Sequence, residues 1–583
     1  MCGIAGIIGD FKENQLDAML AIQHHRGPDA TEKYKDDSFA ALGHNRLAII
    51  DLSTKSNQPF IDISNRYVIV FNGEIYNYIE LKKVLQNQYT FKTESDTEVL
   101  LAAYIVYGKR CLEKLNGMFA FAIWDNQSKK LFAARDRFGV KPFYYSSKNQ
   151  TFYFSSEIKA LHASGISKIP NEKVWASYFA YGTYGMPNET FWEGIVQLPG
   201  GHFLEYEDYN LTITKWYCFE DEVAKQPKNI TYSQAKKKYV VLLRDSIQMR
   251  FRSDVPVGFN ISGGLDSSLL LALVNNYKLN SEPVKKLPFT IHHSQFTLNG
   301  YTFYTNNSDY DELPWVEKMI AKTHNPLTKV LLQANEVPDF AKKMALQQDE
   351  PYGGIPTLAY AKIFEQARKD EVLVLLDGQG MDEQWAGYDY YTQENNATIQ
   401  GVQESPFKIN LLSKSFLAKA EKTIYPTPFE DELLNKQYRD LFYTKIPRAL
   451  RFNDRISMMY STELREPFLD YRLVEMAFSL PLDFKIKNGI TKYMLREIAS
   501  EYLANDLVFA PKRALQTPQR EWLAEELKDW VGDIFEAIEK STFSNWFNKE
   551  ELQKELQLYF EENTQSSFHI WQCISWWEMN REK

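Results

Sequence analysis

VPVGFNISGGLDSS, residues 255–268, sets an apolar stretch of strand length directly against a glycine pair and an acid flanked by serines. The pattern predicts a strand over residues 255–261, a tight loop, and a helix over residues 267–277. Glycines let the backbone approach a phosphate closely, and the N–H groups that open a helix favour an anion. Ser262, Ser267 and Ser268 add hydroxyl donors. No lysine follows the glycines, so the loop is not the kind that grips a transferring γ-phosphate. Asp266 sits among these donors, where its charge repels phosphate unless Mg²⁺ stands between them. The competing reading is a plain glycine turn with a serine helix cap. The strand before the loop and the helix after it favour phosphate.

A second acidic loop, DGQGMDE at residues 377–383, follows the apolar run 372–376, which suits a strand buried on both faces. In a parallel sheet both loops lie beyond the carboxyl ends of their strands. Asp266 and Asp382 are then placed to share metal ions that bridge phosphates. A helix over residues 232–252 and a weaker strand candidate at 287–291, interrupted by Pro288, continue the alternation that predicts a parallel α/β sheet. The chain beyond residue 410 reads as mostly helical.

The N-terminal part reads differently. Residues 66–71 (RYVIVF) are β-rich and lead to an expected turn at Asn72-Gly73. Residues 131–134, a turn over 136–139, and residues 143–145 read as a hairpin, and 151–154 as a further strand. A turn is expected at 198–201, the end of the first domain at 216–219, and a polar linker over 221–229. At 583 residues the chain is too long for one core. The expected division is residues 1–215 and 230–583.

Composition places the chain in the soluble globular class, with 44% apolar and 25% charged residues. A formal net charge of -9 argues against nucleic-acid or anionic-membrane partners. Four cysteines, Cys2, Cys111, Cys218 and Cys573, are scattered with no C-x-x-C pair, so neither a disulfide framework nor a metal site is expected from them. No signal-peptide pattern opens the chain and no apolar run is long enough to span a bilayer. Glycosylation-like triplets at Asn210 and Asn229 therefore carry no weight, and a cytoplasmic location is expected. The expected partners are small molecules, and nothing in the sequence excludes a homodimer.

The chain opens Met1-Cys2-Gly3. With Met1 removed, Cys2 carries both a thiol and a free α-amine, and an amine titrating near ~8 can serve as the base that a thiol nucleophile needs. Acyl transfer also needs donors for the developing oxyanion, which the Asn72 side-chain amide and the Gly73 N–H can supply. Arg46 can clamp an α-carboxylate, and Glu74 and Asp96 can hold an α-ammonium. Together they describe a site for a free amino acid with a side-chain amide, namely glutamine. The bland alternative is an ordinary buried cysteine and a hairpin turn.

Six segments tip that balance: MCGIAGI at the start, RGPD at 26–29, GHNRLAIID at 43–51, FNGEIYN at 71–77, SDTEVLL at 95–101 and ARDRFGVKPFYY at 134–145. They resemble the N-terminal-nucleophile glutaminase domain of class II amidotransferases. The resemblance implies an αββα sandwich, Cys2 as nucleophile, and Asn72 and Gly73 as oxyanion hole. It further implies a glutamine pocket of Arg46, Leu47, Ala48, Ile49, Ile50, Asn72, Gly73, Glu74 and Asp96. The 255–268 stretch resembles the PP-loop ATP pyrophosphatases, whose domain is of the adenine nucleotide alpha hydrolase kind. The two together, with DEPYGGIPT at 349–357, NDRISM at 453–458, EPFLD at 466–470, TKYMLR at 491–496 and PKRALQTP at 511–518, resemble the glutamine-hydrolysing asparagine synthetases over nearly the whole chain. That resemblance implies ATP binding by Ile261, Ser262, Gly263, Gly264, Leu265, Asp266, Ser267, Ile291, Asp377 and Gly378. It implies Mg²⁺ on Asp266 and Asp382, and Lys492 as a catalytic lysine that contacts phosphates. It implies an ammonia tunnel between two sites as well.

Some positions depart from the family pattern. The loop usually reads SGEGxDE, whereas here Asp377 replaces the serine and Gln379 the glutamate associated with the acceptor and ammonia half of the reaction. Gln379 cannot act as a base. PKRAL at 511–515 and STELREPFLD at 461–470 also depart from the usual runs. These differences bear on the acceptor, so the same chemistry on a sugar uronate or a natural-product acid stays open. A ring-closing synthetase of the β-lactam type is disfavoured by the retained Cys2. A glutamine- or nucleotide-sensing module is disfavoured because it needs no nucleophile.

Overall fold

Gly3–Ile8 is the strand from which the N-terminal half is built. Its residues alternate between two cores: Ile4 and Ile8 face one, Ala5 and Ile7 the other. A computed structural model describes residues 2–36, 39–280, 298–392, 406–510, 516–562 and 566–581. In it this strand lies inside a six-stranded antiparallel sheet ordered Val196–Gln197, Tyr144–Lys148, Thr151–Ser155, Gly3–Ile8, Ala40–Arg46, Ala30–Asp36.

A second six-stranded antiparallel sheet runs Asn210–Lys215, His202–Glu207, Lys130–Arg135, Gly117–Asp125, Tyr67–Ile75, Phe60–Ile61. The two sheets face each other across Ile4, Ile8, Leu42, Val68, Val70, Ala122, Trp124 and Phe154. Helices cover the outsides. Glu13–Ile22 packs Leu16, Met19 and Leu20 against Ala5 and Ile7, and Tyr78–Leu85 and Asp96–Tyr107 lie on Ile69 and Phe71. The expected αββα sandwich is therefore the observed one. Because both faces of the central strands are buried, those strands carry apolar residues at successive positions, whereas the edge strands Ala30–Asp36 and Asn210–Lys215 are largely exposed and polar.

Three local expectations are corrected. Asn72-Gly73 is not a turn: the strand Tyr67–Ile75 runs straight through it, with Asn72 opposite Ala120 and Gly73 opposite Phe119. Glycine is required there for another reason, since φ is +152° and a Cβ would stand 2.0 Å from the Met118 carbonyl oxygen. Residues 131–145 are not a hairpin, because Lys130–Arg135 and Tyr144–Lys148 belong to different sheets. Asp136 redirects the chain between them, its carboxylate accepting from the backbone N–H groups of Phe119, Phe138, Val140 and Lys141. The polar stretch 221–229 begins inside a helix, Phe219–Ala224, anchored by Phe219 against Phe478.

The C-terminal half holds a five-stranded, all-parallel sheet in the order Leu327–Leu331, Gly300–Tyr304, Val257–Asn260, Val374–Leu376, Glu463–Arg465. Val374–Leu376 is interior and fully buried, as its continuous apolar run predicts. Helix Leu265–Asn280 leaves the central strand through the glycine loop, and helices dominate from Lys414 to Asn580. The candidate strand at 287–291 lies outside the described residues, as do residues 511–515.

The halves share one continuous core. Leu47, Ile49, Ile50, Tyr76, Met118, Phe138 and Val140 of the first half pack with Phe259, Leu376, Met381, Trp385 and Phe468 of the second.

Candidate active sites

Cys2 sits at the head of the Gly3–Ile8 strand, buried. Its N–H donates to Asn72 Oδ1 at 3.0 Å, its carbonyl accepts from Arg26 Nε at 3.0 Å, and its Sγ lies 3.9 Å from the Leu47 carbonyl. With Oδ1 turned to Cys2, Asn72 Nδ2 is left buried without a partner. A buried donor without an acceptor costs about 1–3 kcal/mol, so a group held this way beside a thiol points to an acceptor that arrives from outside. Burial alone would push the Cys2 thiol up, but the His44 ring, the α-ammonium at the chain terminus and the Leu47 carbonyl contact bring it down to about 6.

His44 is the residue that sequence reasoning missed. It lies on Ala40–Arg46, paired with Ile4, and its Nε2 is 3.0 Å from the Phe71 carbonyl. Its Nδ1 is buried with no partner. The only signal was its place inside the GHNRLAIID segment, which says nothing of its distance from Cys2.

A small cavity beside the thiol is lined by Cys2, Arg46, Leu47, Ile49, Ile50, Gly73, Glu74 and Asp96, together with Ser56, Gln58, Phe71, Ser95 and Thr97. Asn72 does not line the cavity but accepts from the Cys2 N–H. Ala48 does not line the cavity; its N–H is tied to Asp29 at 2.8 Å. Arg46 lines it, but Nη1 is held by the Ser53 carbonyl and Asn57 Oδ1, each at 2.7 Å, and Nη2 by the Asp51 carbonyl. Its fork therefore braces the 50–57 loop in this state. Asp96 accepts the Ile75 N–H at 2.9 Å. Burial, with help from Glu463, lifts its carboxyl to about 7. Burial and Glu463 also lift Glu74 well above the usual carboxylate range, against the pull of Arg465. An incoming ammonium would add positive charge beside these two acids. The cavity volume is about 20 Å³, room for roughly one water, so its walls must shift to admit glutamine.

The second site opens at the carboxyl ends of the parallel strands, in a cavity of about 360 Å³. The loop residues Ile261, Ser262, Gly263, Gly264, Leu265, Asp266 and Ser267 line it, with Asp377, Gly378, Asp382 and Lys492. Ile291 lies outside the described residues. Gly263 has φ +71°, a left-handed backbone that glycine adopts without strain. Lys492 is buried, in a left-handed conformation at the start of helix Tyr493–Ala499. Its Nζ meets Asp266 Oδ1 and Oδ2 at 2.7 and 2.6 Å and Asp382 Oδ1 at 2.7 Å. Burial would lower the lysine, but the two carboxylates more than reverse this and hold it charged.

Gly387 permits this convergence, since a Cβ there would stand 2.0 Å from Asp382 Oδ1. Below the loop a buried polar set missed in the sequence joins Asn260 Nδ2 to the Tyr360 hydroxyl at 2.5 Å and that hydroxyl to Asp377 at 2.8 Å. Burial raises the Asp377 carboxyl. Gln379 lines the same cavity.

A further small cavity is lined from both halves, by Tyr76, Asn116, Met118 and Val140 of the first and Arg250, Glu466 and Leu469 of the second. Glu466 is buried, and burial raises it to about 8. Arg465 links the flanks. Its Nη2 is 3.5 Å from Glu74 Oε2, and its backbone carbonyl accepts the Asp377 N–H at 3.0 Å.

Comparison with known proteins matches each half to a described family. Residues 1–217 match a glutamine amidotransferase domain, and residues 239–580 match asparagine synthase. The chain belongs to the asparagine synthase family. Asparagine synthetase [glutamine-hydrolyzing] 3 of Bacillus subtilis (strain 168) is 30% identical over 562 residues, covering 92% of this chain and 90% of that protein. Asparagine synthetase [glutamine-hydrolyzing] 1 of the same organism is 29% identical, covering 100% and 97%. A putative asparagine synthetase [glutamine-hydrolyzing] 2 of Methanocaldococcus jannaschii is 34% identical over 450 residues, covering 72% and 82%. As a member of the asparagine synthase family the chain is an enzyme, a ligase with a glutamine amidotransferase half and an ATP-using half. Among the described residues no helix is long and apolar enough to cross a membrane.

Proposed function

We propose that the enzyme makes asparagine from aspartate, with glutamine as nitrogen donor and ATP as co-substrate. The observation that carries this reading is the unpartnered Asn72 Nδ2 beside a thiol held at about 6, on a chain whose other half is an ATP site. Cys2 attacks the glutamine amide, and Asn72 Nδ2 and the Gly73 N–H hold the tetrahedral oxyanion. Ammonia leaves, and water hydrolyses the Cys2 thioester to glutamate. Glu74 and Asp96 hold the glutamine ammonium. Arg46 takes its carboxylate once the bond to the 50–57 loop is exchanged.

In the second site the aspartate side-chain carboxylate attacks the α-phosphorus of ATP and pyrophosphate departs. The resulting acyl-adenylate has AMP as a good leaving group, and ammonia displaces it. Residues 261–267 with Asp377 and Gly378 cradle ATP, and Lys492 stabilises the charge that develops on the phosphates. Asp266 and Asp382 fit Mg²⁺, a hard ion content with one or two protein carboxylates and phosphate oxygens for the rest. Bound there, Mg²⁺ would offset the repulsion between these acids and the phosphates.

Ammonia must stay unprotonated in transit, and the small cavity at Tyr76, Met118 and Glu466, lined from both halves, is the candidate for its route. Asp377, half-buried and lining the same cavity as Gln379, is the carboxylate nearest in sequence to take up the proton that Gln379 cannot.

The test is one incubation with amide-¹⁵N glutamine, Mg-ATP and aspartate, read by mass spectrometry. Labelled asparagine with one AMP per turnover is expected. Cys2→Ala should abolish it while ammonium chloride still supports synthesis. Glutamate release without labelled asparagine would refute aspartate as acceptor and direct the search to other carboxylates.

A further inference from the structure

A single buried arginine ties the Cys2 backbone to the synthetase half. Arg26 donates Nε to the Cys2 carbonyl at 3.0 Å. Its Nη1 and Nη2 donate to the two oxygens of Asp454 at 2.9 and 3.2 Å, and Nη1 also reaches Glu157 at 2.9 Å. Asp454 belongs to helix Lys445–Met459. Its neighbours on that helix, Phe452, Asn453 and Ile456, line the ATP-site cavity. The next residue, Arg455, donates to the Ser156 carbonyl at 3.0 Å. The Ser156 hydroxyl in turn accepts the Ile4 N–H at 3.0 Å. One helix thus holds the head of the Cys2 strand from both flanks while its other face walls the second site.

Arg26, Glu157, Asp454 and Arg455 are all buried. Ions packed in this way have few alternative partners, so the helix and the strand cannot shift independently without stranding a charge. We propose that Asp454 is a positioning residue that couples the sites. Filling the synthetase cavity moves Asn453 and Ile456, and the shift reaches the Cys2 carbonyl through Asp454 and Arg26, setting how fast Cys2 attacks glutamine. The proposal rests on the two-site reading above. Its scale is that of a coupling between sites, about 5–150-fold.

The experiment measures initial glutamate release by the full-length enzyme with and without Mg-ATP plus aspartate, in wild type and in Asp454→Asn. The asparagine keeps the shape and one acceptor but not the charge. Wild type should respond by ~5-fold or more. The variant should lose the response while keeping ammonium-dependent AMP formation. Because Asp454→Asn leaves Arg26 with Glu157 as its remaining charged partner and can misfold, alkylation of wild-type Cys2 by iodoacetamide gives a readout free of mutation. Its rate should also change when Mg-ATP and aspartate are added. A folded Asp454→Asn enzyme with the full wild-type response would overturn the proposal. So would wild-type glutamate release and alkylation that ignore the ligands. No glutamate release under any condition would instead bring down the two-site reading, and this proposal with it.

Discussion

Asn72→Ala should separate catalysis from stability. The side chain makes one bond, Oδ1 to the Cys2 N–H at 3.0 Å, and leaves Nδ2 buried without a partner. Losing the acceptor leaves the Cys2 N–H buried and unpaired at about 1–3 kcal/mol, and removing the stranded Nδ2 donor relieves about 1–3 kcal/mol in turn. The two nearly cancel, so the ligand-free enzyme should melt within a few degrees of wild type, on either side. The transition state feels only a loss. An oxyanion donor is worth about 2.7–4 kcal/mol, so kcat for glutamine hydrolysis should fall by roughly 10²–10³. Thermal melting, glutamate release and ammonium-dependent AMP formation, measured on one preparation, read all of this, and the last should be unchanged. A variant that hydrolyses glutamine normally would show that Nδ2 does not meet the oxyanion. One that melts far below wild type would show that the amide is there for packing.

Other outcomes follow from the same geometry. Below pH about 6 the Cys2 thiol is protonated and inactive, so kcat for glutamine hydrolysis should rise through pH 6 and level off above it. kcat/KM should climb further through about 7 as Asp96 ionises and binds ammonium. His44→Ala removes a charge that lowers the thiol, so a pH–rate series should show the first limb moved to higher pH. Lys492→Met removes the cation between Asp266 and Asp382. AMP formation should then fall by about 10²–10³ while glutamate release survives, measured by paired assays on one sample.

The sequence was most legible where the chemistry is local. The glycine loop at 262–268 lies between a strand and a helix because phosphate binding needs those neighbours in sequence, and residues 261–267 do line one cavity. Cys2 and Asp96, far apart in the chain, were proposed from their chemistry and given weight by the family segments around them, and they too share a cavity. Strand partners were not legible. The chain passes from one sheet to the other at Asp136, and four backbone N–H groups converging on its carboxylate are invisible to a hairpin rule. Asn72-Gly73 carried a turn signature, yet the close approach of Met118 demands glycine in an unbroken strand. His44 and Arg26 escaped because their partners lie across the fold: Cys2, and Asp454 more than four hundred positions away.

The shared core has a consequence for modularity. Cutting the chain near residue 217 would bare Leu47, Ile49, Ile50, Tyr76, Met118, Phe138 and Val140 to water. A free-standing glutaminase carved from this enzyme would carry a sticky face. Transplanting it onto another synthetase would mean resurfacing that face, not merely joining two ends.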